Sequence, residues 1–287
     1  MLRDGAIATW SEVVNSLGDV HENARLVISQ SFHSFPYCVW SPTFAGNYGR
    51  SRSTYLCIGE GKIGFIRAEG KTIHHISIPI SEIDEFETGT ELLSSWITIY
   101  FHGQRASVFF NSVSKPLYAR FIDAFLAERV TDSDFNPIQE DNETYLKALK
   151  KEDFKYETYV RRVLGKRRPL ASFYHPTASA PRSIFGARII SSYLLIAAGG
   201  LLYSFSEGRI IRYVRSVNYS MVIRYIPIAT TLMLRHTDMK DTYSIQSFSR
   251  FEWPLLEVPV STTKSGEFST FCRESKIAWS DQRGVTP

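Results

Sequence analysis

The residues of this chain best suited to chemistry are its cations. Lys150 and Lys151 stand in a segment of helical period, Arg161 and Arg162 follow, and Lys166, Arg167 and Arg168 close the run, with Tyr156 and Tyr159 nearby. Such a group can meet an anionic membrane surface, at about 1 kcal/mol per residue, or the phosphates of a nucleic acid. It equally suits a solvated helix face, with Glu157 and Arg161 at i, i+4 spacing, or docking on an acidic part of the same chain. These seven residues form the candidate binding set for an anionic partner.

Other constellations point less far. Gly59-x-Gly61-x-x-Gly64 matches the glycine pattern of dinucleotide loops, but such a loop must open a helix, and Phe65-Ile66-Arg67 continues as strand. A hairpin turn is the expected reading. His74 and His75 are adjacent, so a strand sends them to opposite faces and they do not jointly ligate one metal. Glu82, Asp84, Glu85, Glu87 and Glu91 lack calcium-loop spacing and read as a solvated acidic edge. No coupled nucleophile and base emerges. No catalytic residue, metal site or cofactor is therefore assigned, and an enzyme or small-ligand carrier using a barrel interior is the least favoured class.

The elements that must position these groups follow from composition and repeats. The 287 residues carry a net charge of +4, 44% hydrophobic and 22% charged residues, an ordinary globular composition. Residues 1–140 hold 11 Lys+Arg against 16 Asp+Glu, and residues 141–287 hold 22 against 13. An acidic half precedes a basic one. Cys38, Cys57 and Cys272 are far apart in sequence and form no CxxC pair, which argues against a disulfide framework and suits a reducing cytoplasm. The start lacks the apolar run of a secretory signal. Ile189 to Ser206 is free of charge and long enough to prompt a transmembrane check.

A repeat answers that check. Sliding the chain by 138 residues aligns Ser53–Lys71 with Ser191–Arg209, with seven of 19 positions identical, against roughly one by chance. The first copy carries Glu60, Lys62 and Arg67 inside this window, so a spanning helix in the second copy alone is disfavoured. Both copies read as β. Tyr55–Ile58 and Ile63–Ile66 flank a glycine turn, and strands are expected at Ile73–Ile78, Ile83–Phe86, Trp96–Phe101 and Ala106–Phe110. The second copy continues through Ile211–Val217, Met221–Tyr225, Thr231–Arg235 and Thr242–Phe248.

Helices punctuate the strands. Ser114 and Pro116 suit a helix start, and Leu117, Phe121, Ile122 and Phe125 give one apolar face. A late helix is expected over Phe268–Trp279. Trp10, Val13, Val14 and Leu17 suggest a short N-terminal helix capped near Asp4, Thr131–Asn136 a polar loop, and Asp141–Leu164 one long helix between the repeats.

The hairpin Tyr55–Ile63, the segment Ile78-Pro79-Ile80-Ser81-Glu82-Ile83, the strand Trp96-Ile97-Thr98-Ile99 and the helix after it together resemble the bacterial pleckstrin-homology-like (PH/GRAM-like) superfold. The resemblance covers roughly residues 30–130, and less closely 170–280. It implies a mainly β, α+β protein of two bent antiparallel barrels or sandwiches, each with a C-terminal helix. The expected division is an N-terminal helical segment at 1–25, a first domain at 26–132, a basic linker helix at 133–168 and a second domain at 169–287. The loops Gly59-Glu60-Gly61-Lys62 and Ala197-Ala198-Gly199-Gly200 lack the cations of phosphoinositide-binding members. The expected role is a cytoplasmic, non-enzymatic binding or scaffolding module for a protein partner, with the anionic membrane or nucleic-acid surface as the alternative.

Overall fold

A computed structural model of the chain describes residues 10–46, 49–69, 72–130, 139–165, 167–183, 186–207, 211–213, 220–228, 232–236, 242–247 and 254–279. The chain is mainly β with helices, and it divides into two compact units, Met1–Glu128 and Arg129–Pro287.

The first unit begins with β1 (Glu12–Val14), whose Val13 pairs opposite Val39 of β2 (Tyr37–Ser41). The expected N-terminal helix is therefore a strand at Val13 and Val14, adjacent β-branched residues that favour extended backbone. Its expected cap, Asp4, lies outside the described residues. The helix comes later, as α1 (Glu22–Ser31), with Ala24 and Ile28 buried one turn apart. A small hairpin of β3 (Phe44–Gly46) and β4 (Gly49–Ser51) leads to β5 (Thr54–Gly59), β6 (Lys62–Glu69) and β7 (Thr72–Pro79). The larger sheet has the order β1-β2-β5-β6-β7.

Pro79, which has no N–H to give to a ladder, ends that sheet, and a 3-10 turn at Ile80–Glu82 redirects the chain. β8 (Glu85–Glu91), β9 (Ser94–Phe101) and β10 (Gln104–Asn111) then form an antiparallel meander. The Asn111 side chain accepts the Val113 N–H at 3.0 Å and caps a 3-10 turn leading into α2 (Ala119–Arg129). Ser114, expected as the cap, instead accepts the Ser11 N–H at 3.0 Å. Phe121 of α2 packs on Tyr37 and Phe125 on Phe86, with ring centroids 5.7 and 5.2 Å apart.

The second unit opens with two helices where one was expected, α3 (Gln139–Glu152) and α4 (Phe154–Leu164). Asp153 breaks them apart: its backbone is extended and its carboxylate accepts the Lys155 N–H at 3.0 Å, starting a new helix. The helices fold back on each other, because Arg161 Nη1 reaches Glu143 Oε1 at 2.7 Å. A continuous helix would hold those residues roughly 27 Å apart.

β11 (Ala171–His175), β12 (Ala178–Ser183), β13 (Gly186–Ile190), β14 (Tyr193–Ala198), β15 (Leu201–Ser206), β16 (Ile211–Tyr213) and β17 (Met221–Pro227) follow. Of these, β11-β14-β15-β17 run side by side, and β12-β13-β16 form a small separate sheet. The uncharged Ile189–Ser206 stretch is thus mostly β14 and β15, buried on both faces, which explains its lack of charge. No helix among the described residues is long and apolar enough to cross a membrane.

β18 (Leu232–His236), β19 (Thr242–Ser247) and β20 (Pro254–Pro259) make a second meander, followed by α5 (Ser265–Glu274) and β21 (Ala278–Trp279), which lies parallel to β18. The expected helix over Phe268–Trp279 therefore stops early, at Ser275 and the left-handed Lys276 (φ 58°), and Trp279 is a strand residue. Phe268 of α5 packs 4.9 Å from the Phe173 ring. Each sheet is open among the described residues, so the expected barrel closure is not what the strands form.

The two units share a plan, but in a register one residue away from the 138-residue alignment. The two-residue turns are Glu60-Gly61 and Gly199-Gly200, with φ of 52°, 70°, 56° and 75°, so Gly61 corresponds to Gly200 and the offset is 139. A one-residue slip reverses faces. Accordingly Tyr55 packs with Cys38, Cys57 and the α1 residues Ala24 and Ile28, whereas Tyr193 packs with Phe268 and Phe271 of α5. Past the turn, Lys62 pairs opposite Pro79 and Leu201 opposite Pro227, and Ile80 and Ile228 donate N–H bonds of 2.8 Å to Gly61 O and Gly200 O. Ile78-Pro79-Ile80 thus recurs as Ile226-Pro227-Ile228. The second copy carries extra residues between its third and fourth strands, where β16 pairs with β13 rather than continuing the larger sheet.

Candidate functional site

Six of the seven sequence-selected cations lie among the described residues, and those six do not converge. Lys150 and Lys151 end α3, while Arg161 and Arg162 end α4, and the fold-back places these pairs at opposite ends of the helical hairpin. Eight residues of helix separate Asp153 from Arg161, about 12 Å. Arg161 is engaged by two carboxylates, Glu157 Oε1 at 2.8 Å and Glu143 Oε1 at 2.7 Å. The hydrogen bond from Arg161 holds the Glu143 carboxyl below its ordinary range. The Lys150 ammonium sits 5.5 Å over the Phe154 ring. Neighbouring Lys155 pairs with Glu207. Arg167 donates to Val163 O and lies near the Tyr203 hydroxyl, Arg168 is exposed, and Lys166 lies outside the described residues. Lys151 and Arg162 are exposed and make no ion pair among the described residues.

The glycine pattern is the hairpin the sequence suggests. Gly61 takes the left-handed turn position, and side chains at Gly59 and Gly64 would press on Pro36 and the Phe32 ring at 3.3 and 3.4 Å. The turn presents an anchored acid: Glu60 accepts the N–H groups of His33 and Ser34 at 2.7 and 3.1 Å. The His33 ring and these amides hold its pKa down to about 2.

The acidic run is not the solvated edge expected. Glu85 and Glu87 are 1% and 7% exposed. Both lie on one side of β8, and Glu87 accepts the Trp96 Nε1–H at 2.8 Å from the adjacent strand. Asp84 accepts the His102 N–H at 2.9 Å, tying the β9–β10 turn. Among the described residues no group of three His, Cys, Asp or Glu could hold a metal ion.

What emerges instead is an exposed sheet edge. β7 pairs with β6 along its whole length without a register shift, and among the described residues it is the end strand of its sheet. Its residues, Thr72-Ile73-His74-His75-Ile76-Ser77-Ile78-Pro79, are β-branched or polar up to the final proline and include no Lys, Arg, Asp or Glu. Five of them are exposed, Ile76 to 37%. His75 accepts or donates a 3.2 Å bond with Ser31 of α1, and partial desolvation of its ring, with the nearby Lys62 charge, holds its pKa below the ordinary histidine value. The corresponding strand of the second unit, β17, is buried at six of its seven positions. At one end of the β8–β10 meander, Leu92 and Leu93 are each 69% exposed, and Ser112 donates to Leu93 O beside the exposed Val113.

In sequence, the adjacency of His74 and His75 poses a metal question, whereas their place on a sheet edge follows from the strand pairing. The signal available was the run 72–78, seven residues without Lys, Arg, Asp or Glu, in which Pro79 at the end is the one usual protection of an edge. Comparison with protein-family models and with curated proteins gives no match to this chain.

Proposed function

We propose that the chain is a non-enzymatic binding or scaffolding protein of two pleckstrin-homology-like units, the first of which presents β7 to a protein partner. The PH-like reading is supported by the plan that both units follow: four antiparallel strands ended by a proline, to which the first unit adds β1, then a three-stranded meander and a C-terminal helix. The partner reading is carried by the contrast between exposed β7 and buried β17. An edge strand offers a row of N–H and C=O groups, and an extended segment of a partner adds to it by main-chain hydrogen bonds.

The test compares proteins retained from native extract by the immobilised chain and by its Ile76→Lys variant. Ile76 is at the surface, so the variant keeps the fold while its charge opposes strand addition. A defined protein retained by the wild type and lost with Ile76→Lys is the expected outcome. Equal retention by both would overturn the reading. A second reading, an anionic surface, rests on exposed Lys151 and Arg162, and its signature is binding to anionic vesicles or nucleic acid that falls with salt.

A further inference from the structure

We infer that Cys38 and Cys57 are a two-electron redox site, oxidised in the folded protein to a disulfide between β2 and β5. The two cysteines, far apart in sequence, are Cα partners directly opposite each other on adjacent antiparallel strands. Their sulfurs are 2.9 Å apart, both thiols are free, and both side chains are fully buried. Opposed residues in antiparallel strands have Cα separations of about 4.5 to 5.5 Å, within the range a disulfide spans. Closing the bond, about 2.05 Å long, moves the sulfurs by less than an ångström. No backbone rearrangement is needed. Cys272, in α5 of the other unit, provides an internal control: its thiol is pushed up to about 12 by burial, and it has no cysteine beside it.

The chemistry balances with a peroxide as oxidant. One thiol loses its proton and attacks a peroxide oxygen, the O–O bond breaks, and a sulfenic acid and water result. The second sulfur attacks the first, the S–S bond forms and a second water leaves. Two thiols and one hydrogen peroxide become one disulfide and two waters, with two electrons passing from sulfur to oxygen. The hydrogen bond from Cys57 to Cys38 and burial both raise the Cys57 pKa, so the step is slow and depends on loosening of α1 above the pair. The pair responds to sustained rather than brief oxidation.

The test uses the full chain, fully reduced and folded, treated with hydrogen peroxide and in parallel with diamide. The expected result is a mass loss of two hydrogens, a Cys38–Cys57 linked peptide after digestion without reductant, one remaining thiol on unfolding, and reversal by dithiothreitol. Cys38→Ser is expected to lose the linked peptide. The wild-type measurement stands alone should that variant fold poorly. Three titratable thiols after prolonged treatment, or linkage through Cys272, would overturn the inference.

Discussion

The indole of Trp96 lies across Gly89 on the neighbouring strand and fills the space a β-carbon at Gly89 would need. The ring cannot swing aside freely, because it is buried and its Nε1–H is held by Glu87 at 2.8 Å. Gly89→Ala is expected to destabilise the first unit by about 2–3 kcal/mol through overpacking. Urea denaturation measures this, and an unchanged midpoint would show that the indole has somewhere else to go.

His175 is fully buried, stacked on Tyr193 with centroids 5.0 Å apart. Its Nδ1 lies 2.7 Å from Pro176 O and its Nε2 accepts the Ser261 N–H at 3.3 Å. This pattern requires the neutral ring with its proton on Nδ1. Burial lowers its pKa, so the unfolded chain binds a proton more readily than the folded one. Stability is therefore expected to be insensitive to this group above pH ~6.5 and to fall as pH drops from there towards the lowered folded value. Thermal unfolding across pH 5–8 reads it, and His175→Phe should flatten that part of the slope.

Asp153 starts α4 by accepting the Lys155 N–H. Asp153→Ala should cost about 1 kcal/mol. Arg161→Ala should cost less, since ion pairs at the surface contribute roughly 0–1 kcal/mol. Denaturant midpoints of the two variants rank these effects, and the reverse order would show that the Glu143–Arg161–Glu157 contacts hold the helical hairpin together.

The anionic-surface reading makes a distinction of its own. Arg161 already faces two carboxylates, so Arg161→Ala should leave vesicle binding nearly unchanged, whereas Arg162→Ala should weaken it about fivefold, the equivalent of about 1 kcal/mol. Co-sedimentation with vesicles containing phosphatidylserine, at low and high salt, measures both. Equal losses would place Arg161 in the binding surface after all.

Much of the β architecture was legible from residue patterns. The hairpin about Gly61, the strands at Ile73–Ile78 and Trp96–Phe101, and the helix bearing Phe121 and Phe125 all follow from local period and turn chemistry. Register was less legible. Identities such as Tyr55 with Tyr193 align residues that face opposite sides of their sheets, and only the positions of the turns expose the slip. Charge misled at β8, because a carboxylate beside an indole N–H can be buried as Glu87 is, and composition does not report partners on the next strand. The proximity of Cys38 and Cys57 depends on strand pairing across the β3–β4 hairpin, which spacing alone does not encode.

The fold-back of α3 and α4 changes what counts as a portable piece of this chain. Tyr156 of α4 donates to Ser192 O at 2.5 Å and packs on Tyr174, on the side of the sheet away from α5, as α1 covers the corresponding side of the first unit. The larger sheet of each unit is therefore covered by helices on both sides, α1 and α2 in the first and α4 and α5 in the second. A fragment cut at residue 169 would strip the second sheet of one covering and leave aromatic side chains bare to water, inviting precipitation. A cut before residue 139 keeps that covering, so a fragment beginning there should expose less apolar surface than one beginning at 169, a difference that binding of a hydrophobic dye reads.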